Sequence, residues 1–456
     1  MLSALLAAVL HFPSQDSAPT APHVLAIEHV TVLPMDAERR LADHTVIVRD
    51  GRIAALGPAA EVTVPEGALR IDGAGRFLFP GLADMHVHVW DANDLYLFVA
   101  CGVTTVRNMF GSTLHLGWRE QIEKGELVGP RIYTAGPIID GPNPVWPGSV
   151  ALTDPAQAAE IVKEQKAAGY DFLKPYSKLS PECYEALAIA AEAEGLRMMG
   201  HVPSALGIAD VLEAGQHTIE HLDGWAEAAL GQTGAQGASL IDDHLAWPKT
   251  DDAGLAKVAR ACKEAGAWNC PTLVVLQKWR KGAEADALLA RPEMRFVSPF
   301  MKSAWGPGSS MNYLQRLPEE LLAAVHAADP HRARAVAALR DAGAGILLGT
   351  DMGNPYVVAG WALHEELANL VAAGLTPYEA LRAGTADAAR CMDDADDWGT
   401  IAVGLRADLL LLEADPLVDV ANAARRIGVV LHGRWMPEDE IERELESRAQ
   451  RFAGNR

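Results

Sequence analysis

Two histidines separated by one residue, His86 and His88, lie near the end of the apolar run FPGLADMHVHV at residues 79–89. Side chains two apart on a strand face the same way, so both imidazoles would converge on one point. Neutral imidazole is the commonest metal ligand, and two of them at this spacing can grip one ion. A pair of buried histidines satisfied by backbone carbonyls fits the same pattern. Further on, Lys174 in DFLKPYS, His201 in RMMGHVP, His221 in HTIEHLDG and Asp351 in GILLGTDMG each stand near the end of an apolar, strand-like run. Amide and ester hydrolysis is slow because water is a weak nucleophile and the intermediate gathers negative charge. A divalent metal relieves both difficulties.

The elements that must carry these residues come next. Amphipathic helical stretches such as DPAQAAEIVKEQKAAG and SPECYEALAIAAEAEG lie between the runs, and strand alternating with helix predicts βα units around a parallel sheet. Strands are predicted near 82–89, 103–109, 131–136, 172–177, 197–202, 217–222, 268–275 and 345–351. Eight units predict an α/β fold of the closed (β/α)8 TIM-barrel type, where chemistry sits at the C-terminal strand ends. All of the singled-out polar residues fall at such ends.

Residues 24–79 alternate in strand fashion, with Asp50-Gly51 marking a tight turn, and residues 398–436 do so again. The two flanks are expected to pair as one small discontinuous β-sandwich domain around a barrel over 80–397. The stretch 437–456 predicts a charged helix, either solvated or an oligomer contact, and the expected assembly is a homo-oligomer. An insertion at 277–327, rich in aromatic and Met residues, suits a lid or pocket wall and equally a helical excursion on the barrel surface.

A chain of 456 residues accommodates one or two domains. Its net charge of -21 argues against nucleic acid and anionic membrane surfaces as partners. The five cysteines (Cys101, Cys183, Cys262, Cys270 and Cys391) are scattered without a CxxC motif, which predicts free thiols rather than a disulfide framework. Residues 1–23 begin with LSALLAAVLHF, an apolar run of signal-peptide length that lacks a Lys or Arg after Met1. Export to a periplasm or the medium, and a disordered extension on a cytoplasmic protein, both stay open. The run is too short to span a bilayer, so no stable membrane insertion is expected.

Taken together, FPGLADMHVHV, FLKPY, GHVP, TIEHL, GTDMG and the tail GTIAVGLRADLLLLEADPL resemble the amidohydrolase superfamily. The nearest subgroup is the branch related to imidazolonepropionase and the prolidase-like metal-dependent peptidases. The resemblance runs from about residue 24 onward, and implies the barrel and the paired chain ends. It also implies one ion on His86, His88 and Asp351 and a second on His201 and His221. Zn²⁺ suits such a site, with Mn²⁺ or Co²⁺ able to occupy it. An ammonium cannot ligate a cation, and in the families resembled the matching lysine is N-carboxylated. That implies a carbamate on Lys174 spanning both ions; an ordinary lysine holding a substrate anion beside a single metal is the alternative.

Asp351 is expected to do more than ligate, taking the proton from the attacking hydroxide and passing it to the leaving nitrogen. Tyr176, two residues past Lys174, is aimed along the same face and could meet substrate or fill the rim. Arg107, with Asn108 at the end of strand 2, is a candidate for a substrate carboxylate or for a structural salt bridge. His364, in WALHEELANLV, reads as a supporting or packing residue. Two departures stand out. TAGPIIDGPNP lacks the Gly-Gly-His of the prolidase-like peptidases, and Pro203 stands where they carry Tyr, so the resemblance leaves dipeptidase specificity open. The expected activity is metal-dependent hydrolysis of an amide or peptide-like C–N bond in a small molecule. Cyclic amides, lactones and phosphoesters suit the same centre. A barrel that has lost catalysis and serves binding or assembly is a third reading, against which the intact Asp351 weighs.

Overall fold

A computed structural model describes residues 24–232, 240–306, 309 and 312–453; the signal-like segment 1–23 lies outside them. Five strands open the described chain: β1 Val24–Val32, β2 Leu41–Arg49, β3 Arg52–Pro58, β4 Leu69–Asp72 and β5 Phe77–Pro80. β2 and β3 form an antiparallel hairpin whose turn residues, Asp50 and Gly51, take φ of 49° and 77°. Positive φ at both positions lets a two-residue turn match the twist of its strands, and Gly adopts it without strain.

β6 Leu82–Val87, β7 Val103–Asn108 and β8 Arg131–Thr134 form a three-stranded parallel sheet. A short parallel ribbon follows, β9 Ile139–Asp140 with β10 Val150–Ala151. β11 Phe172–Leu173, β12 Arg197–Gly200, β13 Thr218–Glu220, β14 Trp268–Cys270 and β15 Gly345–Ile346 form a five-stranded parallel sheet in that order. Backbone bridges link the edges of the two sheets, Ala135 with Phe172 and Val87 with Met352. Across the second junction Asp351 N–H donates to His86 O at 2.8 Å and His88 N–H to Met352 O at 2.6 Å. The mixed α/β architecture expected from the sequence is therefore present, with a parallel strand at each predicted place.

The helices between strands begin and end where their residues dictate. In Pro181–Glu194, Ser180 Oγ accepts from Cys183 N–H, Pro181 opens the first turn, and Gly195 closes the helix at φ 67°. Strand 7 corrects the sequence reading. It stops at Cys270, and the last three residues of the strand expected over 268–275 instead open the helix Leu273–Gln277. The buried Glu366 carboxylate accepts from Leu273 N–H at 2.8 Å and Val274 N–H at 2.7 Å. It thus supplies from another helix the acceptors that a helix N-terminus needs.

β16 Leu409–Leu412, β17 Arg426–Leu431 and β18 Arg434–Pro437 complete one eight-stranded sheet in the order β18-β17-β16-β5-β1-β2-β3, with β4 on β1. The leucine run of β16 is explained by the period of a strand. Leu409 and Leu411 enter a small core with Val46, Val48 and Val430, while Leu410 and Leu412 enter the main core. The final helix, Glu438–Ala453, is not solvated all round. It buries Ile441 and Leu445 in the main core, and its Arg448 lies over the Tyr96 ring at 4.4 Å. The insertion folds as short helices that bury Met294, Phe296, Trp305 and Leu314. All five cysteines are free. Among the described residues no helix is long and apolar enough to cross a membrane.

Candidate active site

The residues singled out for chemistry gather at one end of the parallel strands. His86 lies within β6 and His88 just beyond it, while Lys174, His201 and His221 directly follow β11, β12 and β13. Ligand atoms of His86, His221 and Asp351 all lie within 4.8 Å of one another. Asp351 Oδ1 is 3.4 Å from His86 Nε2 and 3.0 Å from His88 Nε2. The His221 ring centre stands 4.6 Å from that of His86 and 4.8 Å from that of His201, which brings the second pair of histidines against the first. His221 and Asp351 take φ of 58° and 59°, a conformation that costs a non-glycine residue about 1–3 kcal/mol and tends to cluster at functional sites. Gly349 permits the close approach of the last strand, since a Cβ there would lie 2.5 Å from Cys270 Sγ and 2.9 Å from His86 N.

Each of three imidazoles is held through Nδ1. His86 Nδ1 lies 2.7 Å from Glu220 Oε2, His201 Nδ1 2.6 Å from Asp223 Oδ2, and His221 Nδ1 2.7 Å from Thr272 Oγ1. A carboxylate on Nδ1 fixes the tautomer that leaves the Nε2 lone pair free, the arrangement that orients histidines around metals. Burial pushes all three imidazoles down, His221 to about 4, with Lys174 adding to the effect on each. They are neutral at physiological pH and able to donate a lone pair. For Asp351, burial alone would raise the carboxyl, but His221, His88 and Lys174 beside it bring it down to about 2. Burial lowers the Lys174 ammonium to about 8 against the pull of Glu220 and Asp351.

This set fits a metal centre. Among the described residues, His86 Nε2, His88 Nδ1 and Lys174 Nζ are buried polar atoms without a hydrogen-bond partner, and Asp351 Oδ1, although 3.0 Å from His88 Nε2, makes no aligned hydrogen bond either. Buried polar groups are nearly always satisfied in folded proteins, and four unsatisfied ones within a single cluster point to a ligand that would pair with them.

Arg107, the candidate for a substrate carboxylate, is placed otherwise. It is fully buried and donates through Nη2 to Glu220 Oε1 and Oε2 at 2.9 and 3.0 Å, and through Nε to Met85 O at 2.6 Å. The salt-bridge alternative holds, because no face of the guanidinium reaches the open end. Asn108 is buried as well, donating to Thr134 Oγ1 and Phe110 O. His364 donates to Cys101 O at 3.0 Å, in keeping with a packing role. Tyr176 does border the cluster, its ring 4.3 Å from that of His201. Glu220, Asp223 and Thr272 were not anticipated, although Glu220 and Asp223 flank His221 in the IEHLD segment and a carboxylate beside a candidate ligand is a usable signal.

Glu220→Gln is expected to lower metal affinity by about 10–100-fold, because His86 loses its orienting carboxylate. It should also cost about 3–5 kcal/mol of stability by leaving Arg107 buried without a counter-charge. Chelator competition and thermal denaturation measure the two separately. Unchanged metal affinity would reduce Glu220 to a structural partner of Arg107.

The sequence model of the amidohydrolase family matches residues 77–436. The imidazolonepropionase of Haloarcula marismortui is 25% identical over 425 residues, covering 87% of this chain and 90% of that protein. Among solved structures, bottromycin amidohydrolase superposes with a TM-score of 0.76 at 26% identity, covering 95% of this chain and 91% of the other. A Xaa-Pro dipeptidase with bound methionine in the active site superposes with a TM-score of 0.66 at 18% identity over 91% and 100%; at that identity the likeness speaks for the fold alone.

Proposed function

The chain belongs to the amidohydrolase family and is a metal-dependent hydrolase acting on carbon–nitrogen bonds, and from that premise we propose that it cleaves an amide or peptide-like bond of a small molecule. The observation that carries the reading is the group of unsatisfied buried atoms on His86, His88, Lys174 and Asp351. In this reading the two parallel sheets and their bridging edges form one closed (β/α)8 barrel over 80–397. The paired chain ends, 24–79 and 398–436, make a small β-sandwich domain beside it, followed by the helical segment 437–456. The functional assembly is a homo-oligomer.

His86, His88 and Asp351 would hold one ion, and His201 and His221 a second, Zn²⁺ being the best match to nitrogen and oxygen donors. Lys174, N-carboxylated, would add the oxygens of a singly charged carbamate to these donors. Its burial supports this, because an amine brought down to about 8 keeps a neutral fraction near physiological pH, and the neutral amine is the form that adds carbon dioxide and releases a proton. Bound divalent ions supply a nucleophile at neutral pH and polarisation of the scissile carbonyl. Asp351, ionised at about 2, accepts the proton of the attacking water and returns it to the departing nitrogen. His86 and His201 stay neutral and fixed through Glu220 and Asp223, so the geometry does not have to be assembled during the reaction.

The purified protein is expected to carry close to two divalent ions per chain and to lose activity on chelation. Elemental analysis before and after chelator treatment, paired with turnover of N-acyl amino acids and dipeptides, tests this. A fully active metal-free preparation would end the reading.

A further inference from the structure

Beyond the ligands, the rim of the site is aromatic on two sides. Trp90, 46% exposed, follows the His-x-His strand and lies nearly parallel to the His88 ring, 6.2 Å away at 16°. Phe110 meets Trp90 edge-on at 5.8 Å. On the other side Trp146, 38% exposed, donates Nε1–H to Tyr176 Oη at 2.8 Å and stands edge-on to Tyr313 at 6.4 Å. Tyr313 comes from the insertion and donates to Asn354 Oδ1 at 3.1 Å, three residues past Asp351.

The loop that carries Trp146 is built rather than loose. Asp140, fully buried, accepts from Gly141 N–H at 2.9 Å, Val145 N–H at 2.9 Å and Lys178 N–H at 2.7 Å. Gly141 passes so close to the segment after Tyr176 that a Cβ on it would lie 1.8 Å from Lys178 O. An exposed tryptophan held this firmly beside a cluster of candidate metal ligands is the kind of side chain that anchors a planar ligand.

We infer that this aromatic rim takes up an aryl group next to the scissile bond of an amide substrate, an inference that rests on the hydrolase reading above. Trp146, held by Tyr176 and Tyr313, stacks on or edges the aryl group.

Two probes separate the aryl contribution: N-benzoyl-phenylalanine amide and N-acetyl-alanine amide. Water would cleave the same acyl C–N bond in each, giving a carboxylic acid and an amine. Binding is measured by calorimetry on the metal-loaded Asp351→Asn chain, so that the probes persist. The benzoyl-phenylalanine amide should bind about tenfold more tightly than N-acetyl-alanine amide. Trp146→Ala in the same background should weaken the aryl probe about tenfold more than N-acetyl-alanine amide, Trp146→Phe should recover most of the loss, and metal content should not change. Equal binding of the two probes overturns the inference, as does Trp146→Ala weakening both alike. Turnover by the chain with Asp351 intact is scored separately. Turnover without the binding preference overturns the aryl site and leaves the hydrolase reading standing, whereas the preference without turnover supports the aryl site and counts against amide hydrolysis.

Discussion

Asp351→Asn is expected to keep most of its metal while kcat falls by about 10²–10⁴-fold, the range for a lost general base. Asn preserves the size and one ligand oxygen but cannot accept a proton. KM should move far less, since the missing interaction belongs to the transition state. If Asp351 only ligates, activity and metal should be lost in proportion, and excess metal should restore both. Metal occupancy and kcat measured on one sample decide it. Full activity in a metal-replete Asn variant would remove Asp351 from the proton transfer.

Lys174→Ala should have an effect of comparable size by a different route. If Lys174 is carboxylated as proposed, its loss would take an anion from the candidate ligands, so metal occupancy should drop below two and activity should fall by roughly 10²-fold or more. The side chain is fully buried, so its removal leaves a space lined by histidines that a short carboxylate such as acetate or propionate can enter. Partial rescue by these acids, with bicarbonate alone restoring the wild-type chain after metal reloading, is the expected signature. A bare amine on Lys174 in density from the fully metallated enzyme would sink the carbamate.

The candidate ligand set was legible because each member closes an apolar run with a residue that has no place in an ordinary core. His86, His88, Lys174, His201, His221 and Asp351 stand out by type, and the alternation of strand and helix assigns them a common end. What lay out of reach was decided by distant residues. LVV after β14 reads as strand because a short apolar run has no period that distinguishes buried strand from buried helix; Glu366, over ninety residues away, settles it by capping Leu273 and Val274. Arg107 offered a charge at a strand end, and only the fold brings Glu220 against it. Trp146 lies two residues past TAGPIIDGPNP and drew no notice as sequence, because only the fold shows its loop pinned by Asp140.

The position of β5 has a consequence for how the molecule comes into being. β5 sits between β1 and β16, pairing Phe79 with Leu410 on one edge and Phe77 with Thr31 on the other. β5 ends at Pro80 and β16 begins at Leu409, so a ribosome adding about 5–20 residues per second leaves that edge unpaired for on the order of tens of seconds. During this interval the nascent chain exposes an apolar strand, FLFP, with free backbone donors and acceptors, the template on which chains pair with one another. Newborn protein is thus most vulnerable to aggregation before its last fifty residues emerge, and a chain stopped short of Leu409 would carry that open edge permanently.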